Sequence, residues 1–255
     1  MLELRNLYRR FGGITAVDDI SFRVDSGEIV SLIGPNGAGK STCFNLVTGF
    51  LKPSSGQVFF EGTDVTGEEP HRMARRGVVR SFQKTNVLKG LTVFENVLAA
   101  HHLRGATSLL RTLFPNGKVR ESERRLRDGA REIVELVGLG PRMNEEANAL
   151  SCGELRLLEI AIGLGAGPRL LMLDEPAAGL NSEEARRLGA VLTMLVGTRI
   201  EALLLVEHNM GLVMSVSDRV IVMNFGRKLA EGTPAEIRDN PHVVEAYLGR
   251  PKRAA

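Results

Sequence analysis

Gly34-Pro35-Asn36-Gly37-Ala38-Gly39-Lys40-Ser41 places glycines, a lysine and a hydroxyl within one short segment, a combination suited to holding phosphate. Glycines let backbone amides close around anion oxygens, a lysine adds a fixed positive charge, and a hydroxyl can ligate a hard cation such as Mg²⁺. The segment matches G-x-x-x-x-G-K-[ST], and Thr42 extends it. In that pattern Lys40 neutralises the β- and γ-phosphates of a nucleoside triphosphate and Ser41 reaches the metal. A second chemical element is Asp174-Glu175, which ends the apolar run 170–173. Asp174 is expected to hold Mg²⁺ through its water shell, and Glu175 to accept a proton from an attacking water. An acidic pair after an apolar run is usually only a strand end. Together with a phosphate loop it points to nucleoside triphosphate hydrolysis.

Such a site needs a strand ahead of the loop and a helix behind it. Residues 29–33 have the β-branched and apolar texture of a strand, and a helix is expected to run to about Val47. The start of the chain is strand-rich, with runs at 28–33 and 57–60 broken by Gly and Pro-Ser-Ser-Gly turns. From Leu91 to about Gly138 apolar residues recur at helical spacing, including Val93, Val97, Ile133 and Val137. Gly105, Pro115 and Gly117 predict a break within 104–118. After Pro168 the order is strand 170–173, helix 183–196, strand 202–206 and helix 210–216, the alternation of a parallel sheet covered by helices. Runs 219–224 and 228–231 flank a Phe225-Gly226-Arg227 turn and read as a hairpin. Thr233, Pro234 and Glu236 then supply the N-cap, first position and capping partner of a further helix.

Composition restricts the function classes. The chain has 255 residues, 43% hydrophobic and 25% charged, enough for one substantial core. Its apolar runs, such as 202–206, are far shorter than the roughly 20 residues of a membrane-crossing helix, and charges interrupt the N-terminal runs. A cytosolic chain is expected. Cys43 and Cys152 show no metal or redox spacing and read as free thiols. A net charge of +3, with local excess only in 120–131 and 250–253, is too weak to argue nucleic-acid binding.

Many protein classes use a phosphate loop, and the discriminating feature is Leu150-Ser151-Cys152-Gly153-Glu154. It resembles the ABC ATPase signature L-S-G-G-Q/E and lies, as there, between the helical stretch and the Asp174 strand. The resemblance runs from about Leu2 to Gly249. In Arg10–Ile14, Ser31–Phe50, Asp174–Asn181, Glu231–Asn240 and Ala246–Gly249, together with the added 103–127 segment, it is similar to LivG-type ATPases of branched-chain amino acid transporters. The fold so implied is α/β: a P-loop NTPase (RecA-like) core with an N-terminal antiparallel β subdomain and an inserted α-helical subdomain. One domain would span 1–250, with 1–90 and 156–235 forming the β-subdomain and core, 91–155 the helical part with the signature, 236–250 a C-terminal helix and 251–255 a tail.

The resemblance also implies roles. Ser151, Gly153 and Glu154 would face a nucleotide held by a second subunit, with the amides of a helix N-terminus capping its γ-phosphate. Phe11, with Tyr8 nearby, would stack on adenine. Gln83 would reach Mg²⁺ and the water, and would link the core to the helical part. Gly179-Leu180-Asn181 would cross the dimer interface, with Asn181 where relatives carry Asp, and His208 would contact the γ-phosphate.

Implied ligands are ATP and Mg²⁺. Implied partners are a second ATP-binding subunit, identical or not, transmembrane permease subunits and an extracytoplasmic substrate-binding protein, with the chain on the cytoplasmic face of the inner or plasma membrane. The alternatives are a soluble ABC ATPase that remodels protein complexes and a regulatory nucleotide-binding module without catalysis. Cys152 replaces the usual Gly or Tyr, and Ile162 stands where Arg is common. Gly163 and Gly165 each cost a helix about 1 kcal/mol relative to Ala, which predicts a signature helix shorter or looser than in relatives.

Overall fold

The computed structural model of the chain describes residues 1–80, 87–104 and 117–248. Gln83, most of the expected break over 104–118 and the 251–255 tail lie outside the described residues.

β1 (Leu2–Phe11) and β2 (Ile14–Val24) pair antiparallel, and β1 also pairs β4 (Ser55–Phe60). With β5 (Thr63–Asp64) they form a sheet of order β2-β1-β4-β5. Leu2, Leu4 and Leu7 of β1 turn inward, as do Val58 and Phe60 of β4.

The second sheet has the order β10-β9-β3-β8-β7-β6. It comprises β3 (Ile29–Ile33), β6 (Val78–Arg80), β7 (Leu170–Asp174), β8 (Ala202–Val206), β9 (Arg219–Asn224) and β10 (Arg227–Gly232). All pairings are parallel except β9 with β10. Every residue of β3, β7 and β8 is buried, as expected for parallel strands covered on both faces. Their side chains alternate between two cores. Leu171, Leu173, Leu203 and Leu205 join the core made with the helical stretch, whereas Leu170, Met172, Leu204 and Val206 pack toward β1, β2 and α1 (Lys40–Val47).

After α2 (Pro70–Arg75), the helical stretch consists of α3 (Val93–Arg104), α4 (Gly117–Leu136) and α5 (Cys152–Gly165), with α3 against both others. α5 is a continuous helix of 14 residues, with Gly163 and Gly165 in its last turn. A Cβ on Gly165 would lie 2.9 Å from that of Ala100 and 3.2 Å from the Val97 carbonyl oxygen. Missing side-chain bulk therefore lets α3 back onto α5, and packing offsets the helix-propensity cost. The expected 155/156 boundary falls inside this helix.

The remaining helices are α6 (Ser182–Leu195), α7 (Met210–Val216), α8 (Pro234–Arg238) and α9 (Pro241–Leu248). The Thr233–Glu236 capping box forms as expected. The β9–β10 turn is shorter than expected. Phe225 and Gly226 have φ of 46° and 80°, a two-residue turn of the type that suits strand twist, and Arg227 already belongs to β10. Gly226 then ties the phosphate loop to β2: its amide donates to the Ala38 carbonyl at 2.9 Å, and its carbonyl accepts from the Asp18 amide at 2.8 Å.

Cys43 is buried, which pushes its thiol up to about 12, and Cys152 is exposed. Among the described residues no helix is long and apolar enough to cross a membrane.

Candidate functional site

In a parallel sheet, ligands bind beyond the carboxyl ends of the strands. Here those ends deliver Gly34 after β3, Arg80 at the end of β6, Asp174-Glu175 from β7 and Glu207-His208 after β8. Most of the expected site residues arrive together at this edge.

The loop from Gly34 to Gly39 depends on close backbone approach. Gly34 has φ of 151°, and a Cβ there would sit 2.1 Å from the Met223 carbonyl oxygen. At Gly39, with φ of 100°, a Cβ would be 2.3 Å from the Ala16 carbonyl oxygen, so neither position admits a side chain. Gly39 is the N-cap of α1, with no side-chain cap and no acidic residue in the first turn. The first-turn amides, with Ser41 and Thr42 among them, are left for an anion. Lys40 is buried, and its Nζ donates to the Gly34 carbonyl at 2.7 Å and the Pro35 carbonyl at 3.0 Å. Desolvation pulls its pKa down, opposed by the charges of Glu175 and Asp174. Tyr247 of α9 is 39% exposed, and partial desolvation raises its pKa, countered by the Gly34 backbone.

Asp174 is buried, and its two carboxylate oxygens differ. Oδ2 accepts from Arg80 Nη2 at 2.7 Å, while Oδ1 is buried with no hydrogen-bond partner. Desolvation drives its pKa up, partly countered by Arg80. An unpartnered buried carboxylate oxygen near a phosphate cradle is suited to a cation's water shell. Among the described residues no group of three His, Cys, Asp or Glu side chains could hold a metal alone. The donor set thus fits Mg²⁺ arriving on a nucleotide, with Ser41 and Asp174 as protein groups. Gln83, the third expected metal group, lies outside the described residues.

Glu175 takes φ of 52°, a left-handed conformation uncommon for a side-chain-bearing residue. Its amide donates to the Val206 carbonyl at 2.8 Å, and its Oε1 lies 2.7 Å from His208 Nε2. Both side chains are partly exposed, 32% and 40%, so this pair is accessible from the cleft.

Two positions escaped the sequence reading. Glu207, only 2% exposed, accepts from the amides of Ala177 at 2.6 Å, His208 at 2.8 Å and Asn209 at 2.9 Å. It joins the loop after Glu175 to the loop carrying His208. A carboxylate directly after the wholly apolar run 202–206 was the available signal. Arg80, three residues before Gln83, is the second, and no local motif marks it.

The signature residues form a separate arrangement. Ser151 caps α5: its Oγ accepts from the Glu154 amide at 3.3 Å, and Glu154 Oε2 accepts from the Ser151 amide at 2.9 Å. Glu154 also accepts from Arg142 Nε at 3.1 Å, and its pKa is lowered first by the Ser151 amide. Asn181 likewise caps α6, accepting from the Glu183 and Glu184 amides at 3.0 Å. The two caps abut, since a Cβ on Gly153 would lie 2.8 Å from Glu184 Oε1 and one on Gly179 3.8 Å from Cys152 Sγ. Phe11, 42% exposed at the end of β1, carries the Arg9 guanidinium 4.5 Å from its ring centroid.

Residues 17–178 match the family described as ABC transporter, and 227–252 match the one described as branched-chain amino acid ATP-binding cassette transporter. The chain is 45% identical to the high-affinity branched-chain amino acid transport ATP-binding protein BraF of Pseudomonas aeruginosa, over 98% of each chain. It is 43% identical to the corresponding protein LivG of Escherichia coli (strain K12), again over 98% of each. Among solved structures, the ADP conformation of an ATP-binding cassette of an ABC transporter superposes with a TM-score of 0.85 at 34% identity, covering 98% of this chain and 99% of that one.

Proposed function

Because the chain belongs to the ABC transporter family, we propose that it drives import of branched-chain or other hydrophobic amino acids as the ATP-binding, ATP-hydrolysing subunit of a membrane transporter. The observation that carries the chemistry is the Glu175–His208 contact beside the phosphate loop.

The α1 amides and Lys40 hold the β- and γ-phosphates. Glu175 accepts a proton as water attacks the γ-phosphorus and the bond to the β–γ bridging oxygen breaks, leaving ADP and phosphate. His208, with Nε2 protonated, donates to Glu175 and keeps its carboxylate turned toward the cleft. Ser41 and Asp174, joined by Gln83 as the family resemblance implies, would bind Mg²⁺, which would supply neutralisation of charge on the phosphates. Phe11 offers the face of its ring to adenine.

Two such chains, or this one with a related subunit, close head to tail so that Ser151, Gly153 and Glu154 of each face the nucleotide of the other. Support comes from the α5 N-terminus, where Ser151 and Cys152 are exposed. In a Glu175→Gln background, ATP is therefore expected to slow alkylation of Cys152 at least about fivefold, equivalent to about 1 kcal/mol of protection. Equal labelling with and without ATP would remove the composite site. Cys43 is buried and adds little background.

The helical part, 91–155, transmits closure to permease subunits on the cytoplasmic face of the membrane, and an extracytoplasmic receptor supplies substrate. Isolating the assembled transporter and identifying the ligand on that receptor is expected to yield leucine, isoleucine or valine. An amide or aromatic acid would move the substrate class. Co-purification with soluble complexes and no permease would favour a remodelling ATPase instead.

A further inference from the structure

We propose that Arg80 is a positioning residue for Asp174, holding one carboxylate oxygen so that the other is presented to the Mg²⁺ that accompanies ATP. The inference rests on the metal role of Asp174 given above.

Arg80 ends β6 opposite Met172 of β7, so its long side chain spans the two further residues to Asp174. The pair is almost fully enclosed, with side-chain exposures of 11% and 0%. Arg80 is itself held by the helix that follows the phosphate loop. Its Nη1 donates to Asn45 Oδ1, and its guanidinium lies 5.3 Å from the Phe44 ring centroid and 5.9 Å from that of Phe50. A planar guanidinium that lies over two aromatic rings and donates to two acceptors has little freedom left, and a lysine lacks the planar fork to make the same set of contacts.

The consequence falls on Asp174. With Oδ2 accepting from Arg80, rotation of the carboxylate would break that bond, and Oδ1 stays unpartnered. Lys40 does not share this task, because its Nζ donates to the Gly34 and Pro35 carbonyls. A buried ion pair is weak support for stability, since desolvation offsets much of its attraction. Orienting a metal-binding group is a role that such a pair performs well.

The test measures binding of a fluorescent ATP analogue, first in EDTA and then titrated with Mg²⁺. Arg80→Met is expected to raise the Mg²⁺ midpoint about 10–100-fold, as loss of a partner behind a metal ligand does, with affinity in EDTA unchanged. Arg80→Lys should recover part of the loss. Asn45→Ala, which frees one side of the guanidinium, should shift the midpoint about threefold, or less than 1 kcal/mol. If Arg80→Met does not fold, the Lys and Asn45 variants decide.

A midpoint within about twofold of wild type across these variants would overturn the inference. So would tighter Mg²⁺ binding, or a parallel fall in EDTA that marks Arg80 as a mere tie for α1. Asp174→Asn separates the two readings. If it also leaves the midpoint unmoved, the metal role of Asp174 fails. If it shifts the midpoint while Arg80→Met does not, only the role of Arg80 fails.

Discussion

Glu175→Gln is expected to lower kcat for ATP hydrolysis by about 10²–10⁴-fold, the range a positioned general base contributes, while ATP binding survives. Glutamine has nearly the shape of glutamate and can still bond His208 Nε2 through its amide oxygen. The hydrogen bond from the Glu175 amide to the Val206 carbonyl and the left-handed φ of 52° are untouched, so the fold should be as stable as before. What disappears is the ability to take a proton from water. ATP should then accumulate uncleaved, and size-exclusion chromatography with ATP should show a stable dimer. Steady-state turnover checks the first part. A loss of less than about tenfold would make Glu175 an orienting residue and move the base elsewhere.

Glu207→Gln is expected to damage both stability and turnover. The carboxylate accepts three backbone amides at 2.6–2.9 Å in a buried position. A glutamine presents one oxygen and one NH₂ group, so at least one amide donor meets another donor. Hydrogen bonds to charged groups are worth about 1.5–3 kcal/mol, and a stranded buried donor costs a similar amount, giving a loss of about 2–4 kcal/mol in denaturant unfolding. Because Ala177 and His208 hang on the same carboxylate, the spacing between Glu175 and His208 should loosen as well. Turnover should fall on the order of 10- to 100-fold, since sub-ångström misplacement of reacting groups is costly. Unfolding within about 0.5 kcal/mol of wild type together with normal kcat would show that the two loops hold without it.

These residues mark where sequence reading stops. The phosphate loop, the acid pair and the signature are contiguous motifs, legible because their function depends on neighbours in the chain. The Thr233–Glu236 cap was legible for the same reason. Ser151 and Glu154 carry the same spacing, and so do Asn181 and Glu184, and both pairs form capping boxes as well. The role of Gly165 in α5 was not legible, because propensity describes an isolated helix, whereas Gly165 answers to Ala100 on another one.

The sequence by itself determined the strand–loop–helix of the phosphate site, the buried strands around it and the family. Gly34 and Gly39 show why: their backbone angles are required locally, and only glycine meets them. The tertiary structure decided how the chemical groups pair. Arg80 meets Asp174 across 94 residues, Glu175 meets His208 across 33, and Glu207 meets Ala177 across 30. Each meeting depends on the spatial order β6-β7-β8-β3, in which neighbouring strands are distant in sequence. Side chains at parallel strand ends are brought into register by hydrogen bonding between strands, a relation that spacing along the chain does not encode.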